Sequence, residues 1–504
     1  MRTRFALLLP GPAALLALWL AVRLGTSPLK HFDLFFHLAG GRFLLEHGFT
    51  RVDPFSVTGT SGWVPHEWGF GVLCVLLTRW LGAGGPALLV AALVSANVLL
   101  LWHVLGRAAS GKRGLLALAT LGAVLLVHAP TWTQERPFHL GHLLFTLAVL
   151  CVQAWRSGNE RVLWAFPLLG VAWANLHGSW PLGPALLGAA AVGSAFDRPW
   201  PDSRRRSLRA LAFAGAAFLA AGLGPDGPAI YLYPLHHSVL PSTQGIVEWR
   251  PLDLDLTWGW AYLALAGATL FAVGRAPSRR WALLLPSAVL GIAALKVQRH
   301  APFAAVLLAL TLLEHAVQSS AGAASDSSSS AWQRFWKRLD DVIADWSAWA
   351  RSVPWPAAAL LVLGIIHATH PTPLEQGVKR SWIPLGALEA LRALPPGRVL
   401  NPFVLGGTIS FFAGPDYKVF IDSRNDPFPL AVHQDYDKLL WGEPGWEEAL
   451  SRYDPDYLLW KVENPGNILL DHLRMSGGWR EQYRSDAYVL WVREREQPAA
   501  TTRP

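Results

Sequence analysis

Residues Lys30 to Trp68 read KHFDLFFHLAGGRFLLEHGFTRVDPFSVTGTSGWVPHEW. They follow the first long apolar run. They gather His31, Asp33, His37, His47, Asp53, His66 and Glu67 into one loop of a chain otherwise poor in acids. A titratable loop of this kind, set between hydrophobic runs, marks a polytopic membrane protein that presents chemistry at its surface. The composition agrees. Of 504 residues, 52% are hydrophobic and only 15% charged, where a soluble protein carries about 25% charged residues. The mean hydropathy is +0.28.

Outward from the loop, spanning helices are expected near 5–22, 84–106, 114–130, 138–155, 162–175, 181–196, 210–223, 258–274, 281–295, 300–317 and 355–370, about eleven in all. Segment 69–81 is short and follows a proline- and aromatic-rich loop, so it reads as interfacial or re-entrant, with a true span as the alternative. The first run, behind Met1-Arg2-Thr3-Arg4, lacks a small-x-small cleavage site and reads as an uncleaved anchor. Cys74 and Cys151 both lie in apolar segments, so no disulfide framework or cysteine metal motif is present.

The net charge is +8. Its Arg and Lys concentrate in alternate loops, as at Arg107, Lys112 and Arg113, Arg204 to Arg206, Arg279 and Arg280, and Arg334, Lys337 and Arg338. That alternation reports membrane orientation rather than a nucleic-acid surface. It puts the N-terminus in the cytoplasm and, with an odd number of spans, the C-terminal region outside. Four regions follow. Residues 1–317 form a transmembrane catalytic core. Residues 318–353 hold a cytoplasmic Ser-rich linker and an amphipathic helix lying on the membrane. Residues 354–371 are the last span, and 372–504 an extracytoplasmic domain. Within that domain the strand-like runs Arg398–Phe403, Lys418–Asp422, Asp456–Trp460 and Ala487–Val492 alternate with helical patterns such as Pro429–Trp441, which predicts a small α/β fold. The expected fold class is therefore mainly α: a polytopic helix bundle with a small C-terminal α/β domain. Gly406-Gly407 matches no nucleotide-binding loop.

With this orientation the unusual polar clusters share the outer face, and ionisable residues at membrane helices are functional candidates. Asp33 and His37, one helical turn apart, share a face if the segment is helical. Asp33 can serve as a general base, or it can cap a helix while His37 lines an interface. Asp53-Pro54 is a turn signal, so Asp53 reads as mostly structural. His66-Glu67-Trp68 is not the HExxH metalloprotease motif, because Phe70 stands where the second His belongs. A divalent ion on Asp33, His37 and Glu67 is an open option that spacing does not establish, and no other cofactor is indicated. Arg136, Lys296 and Arg299, beside His300, have the chemistry to clamp a phosphate, or they anchor helix ends. Glu248-Trp249-Arg250 suits a sugar by stacking and hydrogen bonding, or it forms a loop lid. His177, in Asn175-Leu176-His177, completes the outer set.

Taken in order, Asp33-Leu34-Phe35-Phe36-His37, Asp53-Pro54-Phe55-Ser56, His66-Glu67-Trp68, Arg136-Pro137, Trp173-Ala174-Asn175-Leu176-His177-Gly178, Arg299 and Lys418-Val419-Phe420-Ile421-Asp422-Ser423-Arg424 resemble bacterial integral-membrane glycosyltransferases of the GT-C superfamily over nearly the whole chain. The resemblance implies a sugar donor carried on polyprenyl phosphate and a reaction on the extracytoplasmic face of the bacterial inner membrane, among membrane lipids. The acceptor would be a glycan, lipid or protein, with no part for nucleic acid. It implies Asp33 as base or metal ligand and Glu67 as a second acid, with His37 beside them. Arg136, His177, Glu248, Arg250, Lys296 and Arg299 fall to substrate binding. The chain lacks the contiguous acidic pair of such loops. The alternatives are a ligase or polymerase of lipid-linked glycans, and a non-catalytic transporter or scaffold in envelope polysaccharide assembly.

Overall fold

The computed structural model describes residues 11–59, 63–109, 113–197, 202–240, 243, 246–320, 335, 337–341, 353–378, 383–462 and 466–495. Of the linker and amphipathic helix expected over 318–353, only residues 318–320, 335, 337–341 and 353 fall among them. The chain forms two compact units. One comprises Met1–Ser27, Gly84–Ser238 and Gln244–Pro371; the other comprises Pro28–Ala83, Val239–Thr243 and Thr372–Pro504. The compact units thus do not follow sequence order, because Pro28–Ala83 groups with Thr372–Pro504.

In the first unit a helix occupies each expected span. Gly84–Ala108, Gly114–Thr131, Phe138–Arg156, Thr257–Arg275 and Gln298–Ser319 are long and apolar enough to cross a membrane. Others are shorter. Ala165–Ala174 has 10 residues, preceded by a 3-10 turn at Glu160–Trp164, and at 1.5 Å per residue it does not by itself cover a hydrocarbon core of about 30 Å. Helix Gly84–Ala108 is apolar all round and mostly buried, as a central helix should be. Its Trp102 joins Trp155, Trp173 and Trp180 in a core where each is about 1% exposed. Ala13, Ala14 and Ala17 meet Ala91 in the same core, and small residues of this kind let membrane helices approach closely. Meanwhile Trp19, Leu168, Phe196, Leu219, Leu270, Phe271 and Ile365 are exposed. So much outward apolar surface suits lipid, not water, and the chain is a multi-pass membrane protein.

In the second unit, helix Asp33–His47 packs on helix Trp68–Leu81. They meet backbone to backbone: a Cβ on Gly41 would lie 2.4 Å from the Gly71 carbonyl, and one on Gly71 would lie 2.6 Å from the His37 carbonyl oxygen. Both ends of the loop are pinned to one stretch. The Leu29 amide donates to the Gly377 carbonyl at 2.9 Å, and the Ala83 amide to the Thr372 carbonyl at 2.9 Å.

The C-terminal part is a five-stranded mixed sheet of β1 (Gly397–Leu400), β2 (Tyr417–Val419), β3 (Tyr457–Lys461), β4 (Trp479–Arg484) and β5 (Tyr488–Arg493), in the order β2-β1-β3-β5-β4. Strand β1 runs parallel to β2 and β3, in register Val399↔Val419 and Val399↔Tyr457; β5 is antiparallel to β3 and β4. Helix Gly406–Phe412 makes the crossover from β1 to β2, and helices Leu430–Trp441 and Trp446–Tyr453 that from β2 to β3, as parallel pairing requires. The buried faces of Leu400, Phe420, Leu458, Trp460, Val489 and Trp491 join Leu439 and Leu470 in one core. Beyond β2 the first outer loop adds its own strand-like stretch. The Val419 amide donates to the Phe55 carbonyl at 3.0 Å, and the Val57 amide to the Val419 carbonyl at 3.1 Å. An edge that would otherwise invite foreign pairing is thus covered from within the chain.

The glycine crossing is testable. Gly41→Ala forces a methyl into the Gly71 backbone and should cost about 1–3 kcal/mol, as overpacking does. Gly122→Ala has nothing within 4 Å of its new methyl and should be neutral or mildly stabilising. Thermal melts of the two purified variants should separate accordingly.

Candidate functional site

The site in the second unit is organised by a buried ion network. Arg424 donates from Nη1 to Asp53 Oδ1 at 2.8 Å and from Nη2 to Asp53 Oδ2 at 2.9 Å. The same guanidinium donates from Nε to Asp422 Oδ1 at 2.9 Å and from Nη2 to Asp422 Oδ2 at 2.7 Å. The side chains of Arg424, Asp53 and Asp422 are only 4%, 0% and 1% exposed. Arg424 also faces the rings of Phe55, Trp63 and Phe428 at 5.3, 6.0 and 5.8 Å. Asp53 in turn organises its own loop, accepting from the Phe55 amide at 3.0 Å and from the Ser56 hydroxyl. The turn expected at Asp53-Pro54 is therefore the anchor of the whole loop. Burial alone would raise the Asp53 carboxyl, but Arg424's charge and hydrogen bonds outweigh it and hold it below the ordinary carboxylate range. The Arg424 guanidinium is held more firmly protonated by the two aspartates, against the opposing effect of burial.

Next to this network lies a titratable cluster. Glu67 stands between two histidines, with Oε2 3.8 Å from His37 Nε2 and Oε1 3.6 Å from His66 Nε2. His37 is 5% exposed and meets Phe70 edge-on at 5.0 Å. Burial pulls the His66 imidazole down, but the Glu67 charge more than compensates, and His66 is raised above its usual 6.5. Burial pushes the Asp426 carboxyl up to about 7, against the nearby charges of His66 and Arg424. Asp33 opens helix Asp33–His47, is 6% exposed, and places Oδ2 3.6 Å from His31 Nδ1. Asp33 and His37 thus lie one turn apart on the helix, while Glu67 reaches His37 from the next one. Asp33, His37 and Glu67 do not form a metal-binding group, and no other set of three His, Cys, Asp or Glu does so among the described residues.

The remaining predicted residues belong to the first unit, and several converge on one segment. Residues Val247–Trp249 form a 3-10 turn. Glu248 pairs with Arg136, while Arg299 stacks over the Trp249 ring at 4.7 Å. The Gln298 amide donates to the Arg250 carbonyl at 2.9 Å, and the Gln298 side chain donates to the Val247 carbonyl. Arg136, Glu248 and Arg299 are therefore brought together through residues 247–250. The Arg250 and Lys296 side chains are exposed. His177 is 3% exposed, accepts at Nδ1 from the Ser179 amide at 3.2 Å, and sits 2.6 Å from the Ser179 hydroxyl. Sequence reasoning did not single out the pairing of Asp53 with Arg424, or Asp426. Asp422-Ser423-Arg424 is visible as a motif, but a partner 371 positions away leaves no local signal.

Solved structures share this fold. The archaeal oligosaccharyltransferase AglB from Archaeoglobus fulgidus, in complex with an inhibitory peptide and a dolichol-phosphate, matches with a TM-score of 0.55 at 12% identity, over 97% of this chain and 74% of that one. The apo oligosaccharyltransferase from the same organism gives 0.50 at 12% identity, over 90% and 69%. ArnT from Cupriavidus metallidurans, bound to undecaprenyl phosphate, gives 0.49 at 14% identity, over 95% and 96%. No protein-family model matches the chain, and no curated protein matches it. The chain thus shares its overall fold with the Archaeoglobus fulgidus oligosaccharyltransferase structures.

Two stability measurements follow. Arg424→Gln leaves two buried carboxylates without their cation and should cost about 3–5 kcal/mol; loss of less than about 1 kcal/mol in a denaturant titration would contradict the anchoring role. The pH dependence is also set. Asp53 is lowered in the fold, so its contribution is present above the unfolded value and lost only as pH falls into strong acid. Asp426 is raised to about 7, so its contribution is full below the ordinary carboxylate value and is lost as pH rises from there to about 7; His66 is also raised, so its contribution is full below 6.5 and is lost as pH rises through its higher folded value. Melting temperature should therefore fall as pH rises from about 4 to about 7, and Asp426→Asn should flatten that decline.

Proposed function

We propose that this chain is a glycosyltransferase of the bacterial inner membrane. In this reading it moves a sugar from a polyprenyl-phosphate-linked donor to an acceptor hydroxyl on the extracytoplasmic face, with inversion. The N-terminus is cytoplasmic and the 372–504 domain extracytoplasmic. The observation that carries the reading is the gathering of Arg136 and Arg299 on segment 247–250 in a fold shared with AglB, a protein solved with dolichol-phosphate. Two guanidiniums held by one segment suit a phosphate, whose oxygens accept the paired donors of each fork.

The chemistry then runs in one step. Asp33 accepts the acceptor's hydroxyl proton as that oxygen bonds to the anomeric carbon. The bond from that carbon to the phosphate oxygen breaks, and its electron pair leaves with the phosphate. Arg136 and Arg299 stabilise the charge that grows there. His37 and Glu67 keep the environment of helix Asp33–His47 polar and ordered, and Glu67 is the second acid of the loop. His177, Arg250 and Lys296 contribute to substrate binding. A second reading, transfer of a preassembled lipid-linked glycan by a ligase or polymerase, draws on the same fold, since AglB is an oligosaccharyltransferase. Product size on defined donors separates the two.

The test uses the full chain in lipid with polyprenyl-phosphate sugars of defined composition. Asp33→Asn should lower kcat by about 100-fold or more, the scale of general-base catalysis, with melting unchanged. Retention of full turnover would remove Asp33 from the base role. Arg299→Gln should lower kcat, while Arg299→Lys, which keeps charge but not the fork, should recover part of it.

A further inference from the structure

Segment 247–250 does more than gather residues. It lies against residues 295–299 through backbone and side chain alike: Leu252 amide to Leu295 carbonyl at 3.2 Å, Gln298 amide to Arg250 carbonyl at 2.9 Å, and Gln298 side chain to Val247 carbonyl. From that seat it presents two successive side chains to two arginines. The Glu248 carboxylate engages Arg136, and the Trp249 ring lies under Arg299 at 4.7 Å. His237 borders the same ring at 5.5 Å.

The arginines of this segment are thus held by a carboxylate and an aromatic face, in a protein proposed to use them on a phosphate. A carboxylate offers a guanidinium a pair of acceptor oxygens, as a phosphate does. The Arg136 and Glu248 side chains are 24% and 34% exposed. A pair that reaches water in part is weaker than a sealed one, and an incoming anion can exchange with it. The contrast with the Asp53–Arg424–Asp422 network, 0% to 4% exposed, is one of function: that network is too buried to exchange.

We propose that Glu248 is a built-in stand-in for the donor's phosphate. It occupies the anion position on Arg136 until a phosphate monoester or diester of a lipid carrier displaces it. Glu248 thereby sets a threshold: a ligand must bring enough negative charge to win Arg136, so neutral prenyl lipids are refused. Trp249 holds Arg299 in place through the exchange. This rests on the phosphate role proposed above for Arg136. A competing intramolecular anion reduces apparent affinity by the fraction of protein it occupies. Removing its charge therefore strengthens binding, whereas a residue that simply orders the site would weaken it.

The experiment measures binding of geranylgeranyl phosphate to the full-length protein in nanodiscs, with geranylgeraniol as the neutral control. Glu248→Gln should tighten Kd for the phosphate by about two- to fivefold, the yield of a partly exposed ion pair, and Glu248→Ala should move it the same way. The gain should shrink as salt is raised and should vanish in an Arg136→Gln background, where the phosphate binds more weakly. Geranylgeraniol, which brings no charge to Arg136, should show no such gain in Glu248→Gln. A Kd for the phosphate that is unchanged or weaker in Glu248→Gln overturns the stand-in. If Arg136→Gln weakens binding in that case, the phosphate role of Arg136 survives and only the inference about Glu248 fails. If Arg136→Gln has no effect, both fall together.

Discussion

The constraint on which the second unit depends is the guanidinium of Arg424, shared by Asp53 and Asp422 in a space that water does not reach. An ion placed there without partners costs several kcal/mol, so the three residues hold one another to a single arrangement. Because Asp53 belongs to Pro28–Ala83 and Arg424 to Thr372–Pro504, satisfying this one cation joins chain regions that are remote in sequence. The edge pairing of Phe55 and Val57 with Val419 then follows almost of necessity, since Asp53 has already brought the loop beside β2.

Around this anchor the loop carries its chemistry on rigid supports. The Gly41–Gly71 crossing lets helices Asp33–His47 and Trp68–Leu81 touch at the backbone, and that contact sets Glu67 beside His37. Asp33 sits at the start of the first of these helices, where a carboxylate is favoured by the helix dipole. The titratable cluster of His37, His66, Glu67 and Asp426 is therefore packed as part of the fold, and the raised His66 and Asp426 act on stability near neutrality, not only in acid.

The ion pairs divide by exposure, and exposure decides what they can do. Arg424 is sealed, so its pairs fix structure. Arg136 and Glu248 are partly exposed, so their pair can be exchanged for another anion at lower cost than a sealed one. The same physics gives the two units different characters: one contains a lock, the other a contact built to be replaced.

Much of this was legible before any fold was known. The apolar runs that become helices and the strand-like runs at Val399, Val419, Leu458 and Val489 depend on local composition and periodicity, so they read correctly from the chain. Strand β4 did not, because Trp479–Arg484 is an exposed edge whose polar side chains carry no alternation. Nor did the rank of Asp53, whose turn signal is local but whose partner is not. Glu248 and Arg136 were candidates for the same ligand, and only the folded chain shows them bound to each other. Local pattern records which residues must leave water. Which charge meets which is settled by chain packing, because an ion pair between distant segments leaves no trace in the spacing of either.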